Sequence, residues 1–253
     1  MGRATTEALV LRRTPFGETS QVAEFLTREH GRLSLILKGV HRPKARKGGG
    51  VDLLDHCVVT WFSRRGSRSM AQLSERRVLS HHPVMRSRTD LLNAGDYLVE
   101  LLRALAPEGQ RAPALFGLSV AFLDALEADP GPQALAPAVF ALQGGILRIT
   151  GFELVLDRCV SCGRRPEGHR VLRCDPARGG VVCRGCRSGQ DHSFDLSSDA
   201  ARALASFRQA DPRQAIELTL PTSIAQHMKR YYDRTLLHVL ERPTRTHVLP
   251  RSA

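Results

Sequence analysis

Cys159-Val160-Ser161-Cys162, followed twenty residues later by Cys183-Arg184-Gly185-Cys186, constrains this chain of 253 residues more than any other stretch. Two Cys-x-x-Cys pairs at this separation suit four thiolates closing around one tetrahedral Zn2+. The two-residue spacer lets both sulfurs of a pair reach the same ion from one tight turn. Gly163 and Gly185 ease the bends, and Gly179-Gly180 supplies a turn before the second pair. The Arg-rich segment between the pairs is too short for a core of its own, so a metal cross-link is the expected support. With all four positions filled by protein, no site is left for water and the ion is structural. Three other readings stay open here: redox-active pairs, disulfides, and a site completed by His169 or His192. Cys57, in an apolar run, and Cys174, between the pairs, are expected to be packing residues.

Charge is the next constraint. Lys and Arg number 37 against 25 Asp and Glu, a net of +12. The excess is uneven: residues 1–80 carry a net +8, whereas residues 81–150 carry −2. A field concentrated on one segment favours a polyanionic partner over general solubility. The longest apolar run, Ala134 to Leu142, contains Pro137 and is far too short to span a bilayer. No secretory h-region opens the chain. A cytoplasmic location is expected, with no membrane and no small-molecule substrate.

From Thr6 to about Val78 the pattern has period two. Strands are expected at Glu7–Arg12, Ser20–Thr27, Arg32–Lys38, His56–Phe62 and Ser69–Glu75, with Leu33, Leu35 and Leu37 on one face. Five short strands in so few residues favour a closed barrel of the OB type over a sheet with bare edges. Between the third and fourth strands runs a loop carrying Lys38, Arg42, Lys44, Arg46 and Lys47; Arg64, Arg65 and Arg68 cluster at the next junction. With Arg32 these are the candidate DNA-binding residues. Cations beside a barrel face can follow a phosphodiester backbone, each neutralised phosphate releasing a counterion. The bland alternative is a solvated loop with no ligand. Phe16, Phe25, Trp61 and Phe62 are the aromatic candidates for base stacking, and some must be core.

Beyond His81-His82-Pro83, read as an interdomain linker, the period becomes helical. Ser87 with Asp90 reads as a capping box, and Leu91, Leu98, Leu102 and Leu105 form a stripe. Helices are expected at Ala114–Ala128 and Ala138–Thr150, and again from Ser197 and from Thr222 to about Leu240. Gly144-Gly145 suggests a close helix contact. The expected fold is therefore α+β: an N-terminal five-stranded OB-type β-barrel (1–80), then an all-α domain (81–253) carrying an inserted four-cysteine, zinc-ribbon-like module at about 155–195. No nucleophile motif and no His-Glu-x-x-His spacing appears, so no enzyme is expected.

Glu7-Ala8-Leu9-Val10-Leu11, Phe16-Gly17-Glu18-Thr19, Leu26-Thr27-Arg28-Glu29-His30-Gly31-Arg32 and Leu37-Lys38-Gly39-Val40, in this order, resemble the N-terminal domain of the bacterial recombination mediator family RecO. The cysteine pairs and the basic last helix resemble it too. The resemblance implies a non-enzymatic protein of recombinational repair that binds single- and double-stranded DNA and anneals complementary strands. It further implies that, with RecR, such a protein helps RecA displace the single-strand-binding protein, whose acidic C-terminal tail it binds. Two other classes remain: a zinc-ribbon RNA-binding factor of translation, and a thiol-redox or zinc enzyme.

Overall fold

The computed structural model describes residues 2–40, 50–63, 70–166, 170–187, 193–246 and 248–249. Its contacts divide the chain into two compact units, Met1–Leu123 and Asp124–Ala253, with the division falling inside a helix.

In the first unit, β1 (Gly2–Phe16), β2 (Ser20–Thr27), β3 (Gly31–Leu37), β4 (His56–Ser63) and β5 (Gln72–Ser80) form a closed barrel in the order β1-β2-β3-β5-β4. All pairings are antiparallel except β3 with β5, which meet through Ile36 and Gln72 and close the ring. Alternation in sequence becomes inside and outside: Ala8, Val10, Ala23, Phe25, Leu35, Leu37, Cys57, Val59, Trp61 and Leu73 fill the interior. Leu33 packs against that core from a partly buried position. Cys57 is a packing residue, and burial first, then the charge of Asp55, pushes its thiol up to about 12. The sequence places β2 at its observed bounds. It makes β1 too short, because the ends of that strand lack the apolar alternation of its middle and still pair with β2 and β4. The fifth strand starts later than expected and runs five residues further, to Ser80.

Three helices complete this unit in chain order: α1 (Pro83–Ser87), α2 (Thr89–Leu105) and α3 (Pro113–Glu127), whose end lies beyond the division. The expected capping box does not form. Ser87 closes α1 and its hydroxyl donates to the Val84 carbonyl, while α2 starts after Arg88 with no side-chain cap. Asp90 is instead held by the Arg88 guanidinium, which lowers its pKa. Of the expected stripe, Leu91, Leu98 and Leu102 are buried, and Leu105, the last residue of the helix, is half-buried. His81-His82 is no loose linker: His82 is buried ahead of α1, and the His81 Nδ1 lies 2.9 Å from the Asp55 carboxylate. Gly31 must be glycine, since a Cβ there would sit 2.1 Å from the Gln110 carbonyl oxygen.

The second unit holds α4 (Pro132–Thr150), a four-stranded sheet of β6 (Val155–Cys159), β7 (Val171–Asp175), β8 (Gly180–Val181) and β9 (Phe194–Ser197), then α5 (Ser198–Phe207), α6 (Pro212–Ala215) and α7 (Thr222–Leu240). Pro137 lies inside α4, so that helix begins six residues before the expected start. Gly144 does allow a close contact: a Cβ would come within 2.9 Å of the Arg208 Cα and the Tyr232 hydroxyl. Ser197 caps α5 by accepting from the Ala200 N–H, as its position suggests. Met228, Tyr232 and Leu236 of α7 are buried. The cysteine segment has more structure than expected. Its sheet, ordered β6-β8-β7-β9, buries Leu172, Cys174, Val181 and Leu196. No helix among the described residues is long and apolar enough to cross a membrane.

Candidate metal centre and nucleic-acid interface

The first knuckle forms where β6 ends. The Gly163 N–H donates to the Cys159 carbonyl at 2.9 Å, and the Cys159 N–H donates to the Arg164 carbonyl at 2.8 Å. Gly163 turns the chain with φ at 73°. The second knuckle follows β8, which pairs with β6 between Val181 and Cys159. The Cys186 N–H donates to the Cys183 carbonyl at 3.0 Å. The parallel pairing brings both knuckles to one place, and the four Sγ atoms lie within 4.8 Å of one another. Cys162 and Cys183 are 3.7 Å apart, close to the sulfur separation of roughly 3.8 Å that tetrahedral Zn–S bonds of about 2.3 Å require. The donor set therefore fits a metal ion.

Electrostatics inside the cluster point the same way. Burial would raise the Cys159 thiol, but N–H groups of Cys183, Ser161 and Cys162 hold it at about 6, ready to ionise. Hydrogen bonding with Cys183 and Cys162 pushes Cys186 up to about 12. Sulfurs this close cannot all carry charge without a cation among them. Cys174 is outside the cluster, fully buried on β7 and raised to about 12 by burial first and then by Asp195. His169 and His192 lie outside the described residues. Spacing rules do not find Arg178. Its Nη1 donates to the Cys186 carbonyl at 2.7 Å and its Nη2 to the Ser161 hydroxyl, tying the knuckles together.

Of the candidate DNA contacts on the barrel, Arg32 and Lys38 are described. They stand at opposite ends of β3. Arg32 already meets the Glu24 carboxylate at 2.7 Å and that of Glu108 at 2.6 Å, and its backbone bonds to Pro107 and Gly109. Lys38 is exposed and has no partner among the described residues. It borders a cleft of about 340 Å³ with Ser74, Glu75 and Arg76, beside the seam of β3 and β5. Sequence reasoning misses Arg76 because it ends the fifth strand at Glu75, one residue before Arg76 and five before the observed end of β5. Arg42, Lys44, Arg46, Lys47, Arg64, Arg65 and Arg68 lie outside the described residues. Phe25 and Trp61 are core, which leaves Phe16 and Phe62 as exposed aromatics. Phe62 lies under the Arg3 guanidinium at 5.9 Å.

The second unit also has a cavity of about 970 Å³ between β6, α4, α5 and α7, with Leu154, Leu172 and Leu204 in its wall and Arg158, Arg202 and Arg208 along it. Arg208 is paired with Glu153 and Arg202 with Asp199.

Comparison with known proteins covers most of the chain. The model "Recombination protein O N terminal" matches residues 1–81, and "Recombination protein O C terminal" matches residues 86–247. The DNA repair protein RecO of Desulforudis audaxviator is 29% identical over 246 residues, 97% of this chain and 95% of that protein. RecO of Rhodopirellula baltica is 32% identical over 198 residues, 78% of this chain and 72% of its own length. RecO of Anaeromyxobacter dehalogenans is 33% identical over 204 residues, 81% and 78% of the two chains.

Proposed function

The chain belongs to the RecO family, and from that premise we propose that it is a non-enzymatic DNA repair protein of the cytoplasm, associated with the nucleoid. It binds single- and double-stranded DNA, anneals complementary strands and, with RecR, helps load RecA onto DNA coated with single-strand-binding protein. Zn2+ held by Cys159, Cys162, Cys183 and Cys186 is structural. Functionally the division lies near residue 80, with the barrel as the DNA-contacting domain and residues 81–253 as the docking frame. The translation-factor alternative has no support from the relatives.

One observation carries the reading of the barrel: Lys38 is exposed and unpaired among the described residues beside the β3–β5 seam, where the basic loop begins. Arg42, Lys44, Arg46 and Lys47 follow in the sequence, and Arg64, Arg65 and Arg68 come at the next junction. Arg32 is the weakest member of this set, since two carboxylates already balance it. Annealing needs repulsion between two backbones lowered without a grip on the bases. A cationic barrel with two exposed phenylalanines, Phe16 and Phe62, suits that task better than an aromatic-lined groove. The acidic tail of single-strand-binding protein suits the cavity lined by Arg158, Arg202 and Arg208.

The test is binding and annealing across salt concentration. Neutralising Lys38, Arg42, Lys44, Arg46 and Lys47 together should flatten the slope of log affinity against log salt by about 3 to 5 units. An unchanged slope would remove this loop from the DNA site.

A further inference from the structure

We infer that the metal module carries a second nucleic-acid contact, formed by Arg164, Arg165, Arg184 and Arg187 on its two knuckles. This rests on the reading that the protein binds DNA, and it places a phosphate-contacting surface outside the barrel. Residues 159–187 contain seven arginines against two acidic residues, Glu167 and Asp175. Four thiolates around a divalent ion leave two negative charges, so some of these arginines are needed within the module. Arg178 meets that need through its bonds to both knuckles, and Arg173 is paired with Asp195 at 3.0 Å. The four knuckle arginines behave differently. All are exposed, and none of their side chains has a hydrogen bond or ion pair with any described residue.

Chain geometry gathers them. Arg184 and Arg187 each adjoin a clustered cysteine, and Arg164 and Arg165 follow Cys162 by two and three residues. With the sulfurs within 4.8 Å, their Cα atoms lie in a patch no wider than roughly 25 Å, enough for about four phosphates of one strand. The tips between them are open: Ser161, Gly163 and Gly185 are exposed, and a Cβ at either glycine would meet nothing within 4 Å. A sugar-phosphate backbone can therefore approach the knuckles closely enough for the four guanidinia to reach its phosphates. An acidic peptide is less well served. Exposed guanidinia with small neighbours give it charge but no apolar seat, which the cavity beside β6 provides instead. Barrel and module lie in different compact units, so one molecule has two surfaces on which to hold two strands.

The experiment titrates labelled oligo(dT) against salt with the metal-loaded full chain, the barrel-loop variant above, and R164Q/R165Q/R184Q/R187Q. The quadruple variant should keep its metal and its unfolding midpoint, bind about tenfold more weakly and lose about 2 to 3 units of salt slope. Annealing should slow by more than binding weakens. If it sheds metal, the double variants R164Q/R165Q and R184Q/R187Q are read instead, each expected to lower the slope by about 1.4. An unchanged slope in metal-loaded variants, beside a flattened one in the barrel-loop variant, overturns this inference and leaves the proposed function standing. No binding of oligo(dT) by the unaltered protein overturns both. Loss of affinity for an acidic peptide with DNA binding intact assigns the patch to a protein partner and overturns it as well.

Discussion

The barrel and the metal module are both small β structures, and opposite means hold them together. The barrel closes five strands of seven to fifteen residues around an interior with Phe25, Leu35 and Val59 wholly buried. The module has four strands of two to five residues, the shortest being Gly180–Val181. Its sulfur cluster lies where those strands are too short to fix their own register. Apolar burial is spread over many positions and tolerates local damage; a cross-link concentrates stability in a few atoms. Damage to either region should therefore travel differently.

The sharpest way to break this contrast is Cys159→Ser. Cys159 is buried, its Sγ accepts the Cys183 N–H at 3.4 Å, and it ends the strand that pairs with β8. Metal content should fall to near zero, and the second unit should lose several kcal/mol, since a structural metal contributes folding energy outright. Hydrogen exchange should rise across residues 155–197 while the barrel keeps its protection. Loosening of the barrel strands in the same experiment would mean that the two regions do not stand independently.

Phe25→Ala is the reciprocal test. Removing a wholly buried ring from the barrel core should cost about 3 to 5 kcal/mol. Metal content should stay at the unaltered level while the barrel's share of DNA binding falls in step with its unfolding. Chemical denaturation followed both by Trp61 fluorescence and by metal release would show two separate transitions, the barrel's now shifted to lower denaturant.

The same contrast explains what can be read from the chain. Period-two alternation at Leu33, Leu35 and Leu37 reports burial directly, so the barrel strands and their inner faces are legible. Its ends are not: Gly2–Thr5 carry no large apolar side chain to mark an inner face, yet they pair in the sheet, with Thr5 bonded to Thr60 across β1 and β4 at 2.9 Å. In the module the cysteines are legible because ligand spacing is a property of the turn. The sheet around them is not, because β8 is two residues long and pairs in parallel with a strand some twenty residues away. The pairing of Arg32 is not legible, because Glu108, which meets its guanidinium, lies 76 residues on. Ser87 and Asp90 have the spacing of a cap, but α1 takes Ser87 as its own last residue.

Glycine offers a smaller, matched pair of perturbations. In the barrel unit Gly31 has φ at 60°, and a Cβ would meet two carbonyl oxygens, those of Gln110 and Pro107. In the module a Cβ at Gly180 would lie 2.4 Å from the Val155 carbonyl oxygen, across the β6–β8 pairing. Gly31→Ala and Gly180→Ala should each cost about 2 to 3 kcal/mol, strain and clash together. Metal affinity separates them: Gly180→Ala should weaken it by pushing β8 from β6, and Gly31→Ala should leave it unchanged. Equal metal loss in both would show that general destabilisation, not the β6–β8 register, sets the ligand geometry.

Acid sharpens the comparison with the least effect. In the barrel unit, burial would raise the Asp52 carboxyl, but the Leu53 N–H and the Arg13 and Arg86 guanidinia outweigh it and hold its pKa below the ordinary value. A carboxyl depressed in the folded state stabilises above its unfolded pKa, and that contribution is lost as pH falls through the lower folded value. Asp52→Asn should therefore cost a small, constant amount from about pH 5 to 7, with the gap closing below about pH 4. The module responds earlier, because protons compete with the metal for thiolates and release begins while carboxylates are still ionised. Metal loss measured along an acid titration should precede any Asp52-dependent change. A coincident midpoint for the two would show that the metal reports barrel stability rather than its own ligands.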